Sequence, residues 1–198
     1  MGKILDRIAQ GKVLVSDGAW GTFLHQKGLK ADECPESWNL KRPGDVLEIA
    51  RSYVEAGAHI ILTNSFGASP LKLEGYGLEG QAFELNRSAA ALSRQAAGAK
   101  VLVMGSMGPT GKMVMMGEAS APEVYKGFLE QARALAEGGA DGIVIETMTD
   151  TEEARMAIEA ARKSTELDVA CTFTFTRNQD GAYRTIMGTD VASYLDMA

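Results

Sequence analysis

The chain has few of the features that would assign it quickly. Among its 198 residues there are only two cysteines, Cys34 and Cys171. They are far apart, so no disulfide framework and no C-x-x-C metal or redox pair can be built from them. The default they leave is a reducing, cytoplasmic setting. There are only two histidines, His25 and His59, with no paired spacing for a metal. No Lys/Arg-rich run occurs, and a net charge of -6 argues against a nucleic-acid or acidic-membrane surface. No apolar stretch approaches the roughly 20 residues of a membrane span. The N-terminal segment carries Lys3, Asp6 and Arg7 and reads as a short amphipathic helix, not a secretory signal.

What is present is glycine, 22 residues of it, and its placement is periodic. Gly57, Gly98 and Gly139 stand 41 residues apart, each following a helical pattern and each followed by an aliphatic run: His59-Ile60-Ile61-Leu62, Val101-Leu102-Val103-Met104 and Gly142-Ile143-Val144-Ile145. Glycine suits the left-handed turn that ends a helix. A continuous apolar run fits a strand covered on both faces of a parallel sheet. The period matches one strand, one helix and two loops.

Helices are expected between the strands. Asp45 and Glu48 have capping-box spacing ahead of a stripe made by Val46, Ile49, Ala50, Tyr53 and Val54. Leu78 to Ala97 supplies the next helix. Ser120, Pro122 and Glu123 start another, with Val124, Phe128 and Leu135 inward; Asp150 and Glu153 start a fourth, with Ala154, Ile158 and Ala161 inward. Two more strands lie outside the strict repeat, Val13 to Asp17 and Asp168 to Phe175, and Thr189-Asp190 reads as a further helix start. Five strands alternating with helices imply a parallel α/β sheet with right-handed crossovers, either a barrel or an open doubly wound sheet. A complete (β/α)8 barrel takes about 250 residues, so this length holds about five units.

In such folds chemistry collects at the carboxyl ends of the strands. There the sequence places Asp17 and Gly18, Asn64 and Ser65, Ser106 in a Gly-rich turn running to Gly111, and Glu146. Asp17 and Glu146 are carboxylates closing apolar strands, able to hold an ammonium group or act as a base, or alternatively to cap a helix or join an ion pair. Asn64 and Ser65 either bond a substrate or cap a loop. The Gly-rich turns at 18–21 and 105–111 could offer backbone N–H groups to a carboxylate or phosphate, but neither is a P-loop, since Gly108-Pro109-Thr110-Gly111-Lys112 lacks that spacing, and simple loop geometry is the favoured reading of the 105–111 turn. His59, before a strand, reads as structural; His25 as solvent-facing; both cysteines as small apolar residues; Met113 to Met116 as a flexible loop packing on the mouth or on a partner. No lysine ends a strand, which counts against a Schiff-base aldolase.

Four ordered motifs carry a family resemblance. Asp17-Gly18-Ala19-Trp20-Gly21-Thr22 resembles the opening of the homocysteine-binding domain of cobalamin-dependent methionine synthases, within the homocysteine S-methyltransferase family. Leu62 to Ala68, Gly105 to Gly111 and Ile145 to Asp150 resemble its second-, third- and fourth-strand motifs, and Met187 to Asp190 the segment after its fifth strand. The resemblance implies a (β/α)8 TIM-barrel-type fold, incomplete here, with residues 1–198 as the N-terminal portion of one barrel domain. It implies a pocket in which Glu146 receives the homocysteine ammonium, with Asp17, Gly18, Asn64 and Ser106 around it. It also implies a zinc ion that binds homocysteine as thiolate, and a methyl donor such as methylcobalamin presented by a corrinoid protein or donor domain. The family's zinc cysteines follow its sixth strand and stand in a Gly-Gly-Cys-Cys-Gly motif at the eighth. Neither segment occurs here, so no metal ligand and no catalytic residue is assigned, and the chain alone is expected to be inactive. Open strand edges favour a homo-oligomer or a partner that completes the barrel. The alternative is a non-catalytic module that binds an amino acid or a corrinoid partner.

Overall fold

The computed structural model describes residues 2–197. Its elements are α1 (Lys3–Ala9), α2 (Trp20–Gln26), α3 (Trp38–Lys41), α4 (Pro43–Glu55), β1 (Ile60–Leu62), α5 (Pro70–Leu73), α6 (Ala82–Ala97), β2 (Leu102–Met107), α7 (Ala121–Glu137), β3 (Gly142–Met148), α8 (Thr151–Ser164), β4 (Asp168–Phe173), β5 (Thr176–Arg177), β6 (Tyr183–Arg184) and α9 (Val191–Met197). None of the described helices is long and apolar enough to cross a membrane.

The aliphatic runs become strands because they can be covered on both sides. β1 to β4 pair in parallel in the order β1-β2-β3-β4. That order decides between the two architectures the sequence left open. A doubly wound sheet reverses its strand order part-way, whereas serial order with crossovers of one hand puts every helix on one face. On that face Ile61, Val103, Ile143 and Ile145 are fully buried against α4, α6, α7 and α8. Gly105 lies on the same side, where an added Cβ would come within 2.8 Å of the Leu135 side chain, so α7 seats directly on β2. The opposite face carries Ile60, Leu102, Met104 and Val144, packed with Leu14 and with Ile4 from α1. This is the inner wall of a barrel, with Ile4 closing its lower end.

Several expectations change in detail. The segment Val13 to Asp17 runs parallel to β1, with the His59 amide donating to Val15 O at 2.8 Å and the Asp17 amide to Ile60 O at 3.0 Å, but only Ser16 forms a bridge. Among the described residues no helix covers Val13 and Val15, which stand exposed, and that leaves too little packing for a full strand. β4 ends at Phe173, two residues early, and the short β5–β6 hairpin was not foreseen. The capping box at Asp45 is absent. Pro43, whose fixed φ suits a first helical residue, starts α4 earlier, and Asp45 instead accepts from Arg42 Nε at 2.7 Å. α7 begins as expected, with a reciprocal Ser120–Glu123 capping box. Asp150 caps α8 through the Glu152 and Glu153 amides.

Candidate active site at the carboxyl ends of the strands

Alternation along β2 sends Val103, Gly105 and Met107 toward the helices and leaves Leu102, Met104 and Ser106 facing inward. Ser106 is the last of these, at the upper rim. Its position is fixed from β1: the Ser106 amide donates to Thr63 Oγ1 at 3.0 Å, and Ser65 Oγ donates to Ser106 O at 2.7 Å. Its own hydroxyl donates to Glu146 Oε1 at 2.5 Å. Glu146, near the end of β3, is half-buried, and its second oxygen takes no hydrogen bond from the described residues. A carboxylate so placed keeps one oxygen for a ligand.

The space beside it is a cavity of about 360 Å³, whose walls include Gly18, Trp20, Leu24, Glu36, Asn64, Phe66, Ser106 and Glu146. Four of the five residues singled out from the sequence therefore meet: Gly18, Asn64, Ser106 and Glu146. Asn64 does so with its amide nitrogen already committed to Pro35 O and Asn39 Oδ1, at 2.9 and 3.0 Å. Asp17 stands behind the wall. Its Oδ2 accepts from the Leu62 amide at 2.8 Å and from Trp20 Nε1 at 3.0 Å, which ties the start of α2 to β1. Its Oδ1 accepts only from the neighbouring Ser16 hydroxyl, at an exposed contact. Burial pushes the Asp17 carboxyl above its ordinary value, and the bonds from Leu62, Trp20 and Ser16 offset only part of that.

Glu36 gave no signal in the sequence, where it follows Pro35 in an unpatterned stretch. It is nevertheless buried in the cavity wall, accepting from the Gly67 amide at 2.7 Å and from Cys34 Sγ at 3.3 Å. Burial, and then the Glu36 charge, push the Cys34 thiol up to about 12, so it is no thiolate at neutral pH. Cys171 packs against the helix-side core, and burial pushes it to about 11. Among the described residues no three His, Cys, Asp or Glu side chains come together as a metal site. Both histidines hold backbone: His59 Nδ1 accepts from the Val15 amide at 3.1 Å, and His25 Nδ1 lies 2.8 Å from Leu29 O. The turn after β2 is held by Glu153, whose Oε1 accepts from the Thr110 amide and hydroxyl at 2.7 and 2.6 Å. That leaves it as loop geometry. Met113, Met115 and Met116 stand exposed beyond it.

Residues 14–198 match the family described as homocysteine S-methyltransferase. The chain belongs to that family. Among the family's curated members, methionine synthases of Mycobacterium tuberculosis and Mycobacterium leprae are each 34% identical over 174 residues, which is 81% of this chain and 14% of theirs. The chain thus spans about a seventh of the length of these relatives. Among solved structures, the homocysteine methyltransferase MmuM of Escherichia coli superimposes with a TM-score of 0.74 in its apo form, at 22% identity over 98% of this chain and 70% of that one. Its metallated form gives 0.76 at 23% identity, over 98% and 73%. These likenesses show the fold: an incomplete TIM-type barrel of the family, with about five β/α units.

Proposed function

We propose that this segment binds homocysteine for S-methylation to methionine and supplies the amino-acid half of the site. The reading rests on Glu146, which lines a cavity large enough for a small amino acid and keeps one oxygen unbonded while Ser106 holds the other. An α-ammonium group bonds to that oxygen as a charge-assisted pair in a half-desolvated place, where such a bond is worth about 2 kcal/mol. The aliphatic thiol chain lies along Trp20 and Leu24. Gly18 keeps the wall low beside it. Asp17 fixes the α2 turn from behind the wall through its Oδ2, and its part in binding is to hold Trp20 in place. In this reading residues 1–198 are the N-terminal portion of one barrel domain in the cytoplasm, and further β/α units or a second chain pair with the open edges at residues 13–17 and β4.

The described residues do not compose a zinc site. Their donor set is two high-pKa thiols in separate cores and two backbone-holding histidines. What they supply is binding and orientation. Thiol activation by zinc and methyl delivery from a corrinoid-bound donor belong to other parts of the protein in this reading, consistent with methionine synthases seven times as long as the match. The same donor set favours a second reading, an amino-acid-binding or corrinoid-partner module without catalysis.

Calorimetric titration of the chain with L-homocysteine tests the first claim, with Glu146→Gln as control. Equal affinity in the two proteins sinks it. Zinc content and homocysteine-dependent demethylation of a donor, measured on the full chain and on any longer form from the same gene, separate the two readings. Turnover in the longer form supports the enzyme; its absence there supports the module.

A further inference from the structure

We infer that a strained one-residue bulge at Thr147 aims Glu146, making Thr147 a positioning residue for the site. The inference deepens the reading of Glu146 as ammonium ligand and rests on it. Among the described residues Thr147 is the only non-glycine with a positive φ, +64°. A β-branched side chain in that region crowds its own backbone, so the conformation persists only where its surroundings impose it. The imposing feature is the pairing of β3 with β4. Ile145 pairs with Cys171, but the next pair is Met148 with Phe173, so Glu146 and Thr147 together oppose the single residue Thr172. The extra residue lets Met148 return to the helix-side core, fully buried beside Ile145. Both residues between them stay off that side: Glu146 lines the cavity and Thr147 is exposed.

The bulge is closed from β4. The Thr147 amide donates to Thr172 Oγ1 at 3.2 Å, and regular bonding resumes with the Thr174 amide on Met148 O at 2.9 Å. A bulge bends its strand and raises the local twist, which re-aims the side chain at the bend. Here that side chain is Glu146, which lines the cavity with one oxygen held by Ser106 and the other unbonded. Thr147 itself does not line the cavity, so its effect on binding passes through Glu146.

Deleting Thr147 tests this, because the deletion restores regular pairing while Ile145 and Met148 keep their side. L-homocysteine affinity is expected to fall about tenfold or more, as for loss of a charge-assisted bond, with cooperative unfolding retained. Thr172→Val removes only the oxygen that closes the bulge and is expected to weaken binding about threefold. Thr147→Asn, which accepts positive φ more readily, is expected to melt no lower than the wild type. Unchanged affinity in the deletion overturns the proposal, and if the deletion does not fold, unchanged affinity in Thr172→Val overturns it. A lower melting point for Thr147→Asn overturns the strain. If the wild type binds no homocysteine, the reading of the site fails separately. The bulge is then decided by the coupling of Ser106→Ala with Glu146→Gln in thermal unfolding: coupling as strong in Thr172→Val as in wild type overturns it.

Discussion

The two ends of the sheet treat charge in opposite ways. At the amino ends of the strands the buried carboxylates are matched. Asp168, at the start of β4, accepts from the Gly2, Ile4 and Leu5 amides at 3.1, 2.9 and 3.2 Å and so caps α1. Asp141, just before β3, accepts from Lys3 Nζ at 2.6 Å and from the Val103 amide at 3.0 Å, and pairs with Arg94. At the carboxyl ends Glu146 keeps an oxygen free, a strained threonine follows it, and a cavity opens beside it. In barrels of this kind the lower face carries stability and the upper face chemistry, and here the division can be read from the hydrogen bonds of three carboxylates.

The contrast breaks if a lower-face substitution changes binding or an upper-face one costs as much stability as a lower-face one. The largest effect is expected from Asp168→Ala, which takes the acceptor from two amides of α1 and from that of Gly2 before it. Stability should fall by about 3 kcal/mol, or about 9 °C in melting temperature, with homocysteine affinity unchanged by calorimetry. Asp141→Asn should cost about 2 kcal/mol by thermal unfolding. Burial opposes ionisation of Asp141, but bonds from Lys3, Val103 and Arg94 outweigh it and hold its pKa below the ordinary 3.8. A carboxyl depressed in the folded state contributes stability above 3.8, and that contribution is lost as pH falls through the lower, folded value. The difference in melting temperature between wild type and Asp141→Asn should therefore narrow as acid is added below pH 4. At the upper face, Glu146→Gln should weaken homocysteine binding by about 2 kcal/mol and move the melting temperature by less than about 2 °C. Ser106→Ala, which leaves the carboxylate in place but unguided, should cost about 1 kcal/mol of affinity by the same titration.

How much of this was legible depended on whether the cause lay near in sequence. β2 and β3 were visible because both faces are covered and the apolar run is unbroken. The helix starts at Ser120 and Asp150 were visible because a cap acts within three residues. The start of α4 was misread because a favourable Asp-x-x-Glu spacing overlaps a proline that begins the helix sooner. Glu146 was legible as a charge closing a buried strand. The saturation of Asp17 Oδ2 was not, since one donor is the amide of Leu62, 45 residues on. Nor was the bulge, because Ile145-Glu146-Thr147-Met148 alternates acceptably until the pairing with β4 is known. The burial of Glu36 depends on Gly67, 31 residues away.

The cap on α1 has a consequence for the order of assembly. The long helices pack in succession, α4 on α6, α6 on α7 and α7 on α8, so the sheet can grow unit by unit from local contacts. The α1 cap is different, joining positions 164 residues apart for Ile4 and Asp168. During synthesis α1 leaves the ribosome well before β4, and it gains its carboxylate cap and closes the base of the barrel only when that strand is in place.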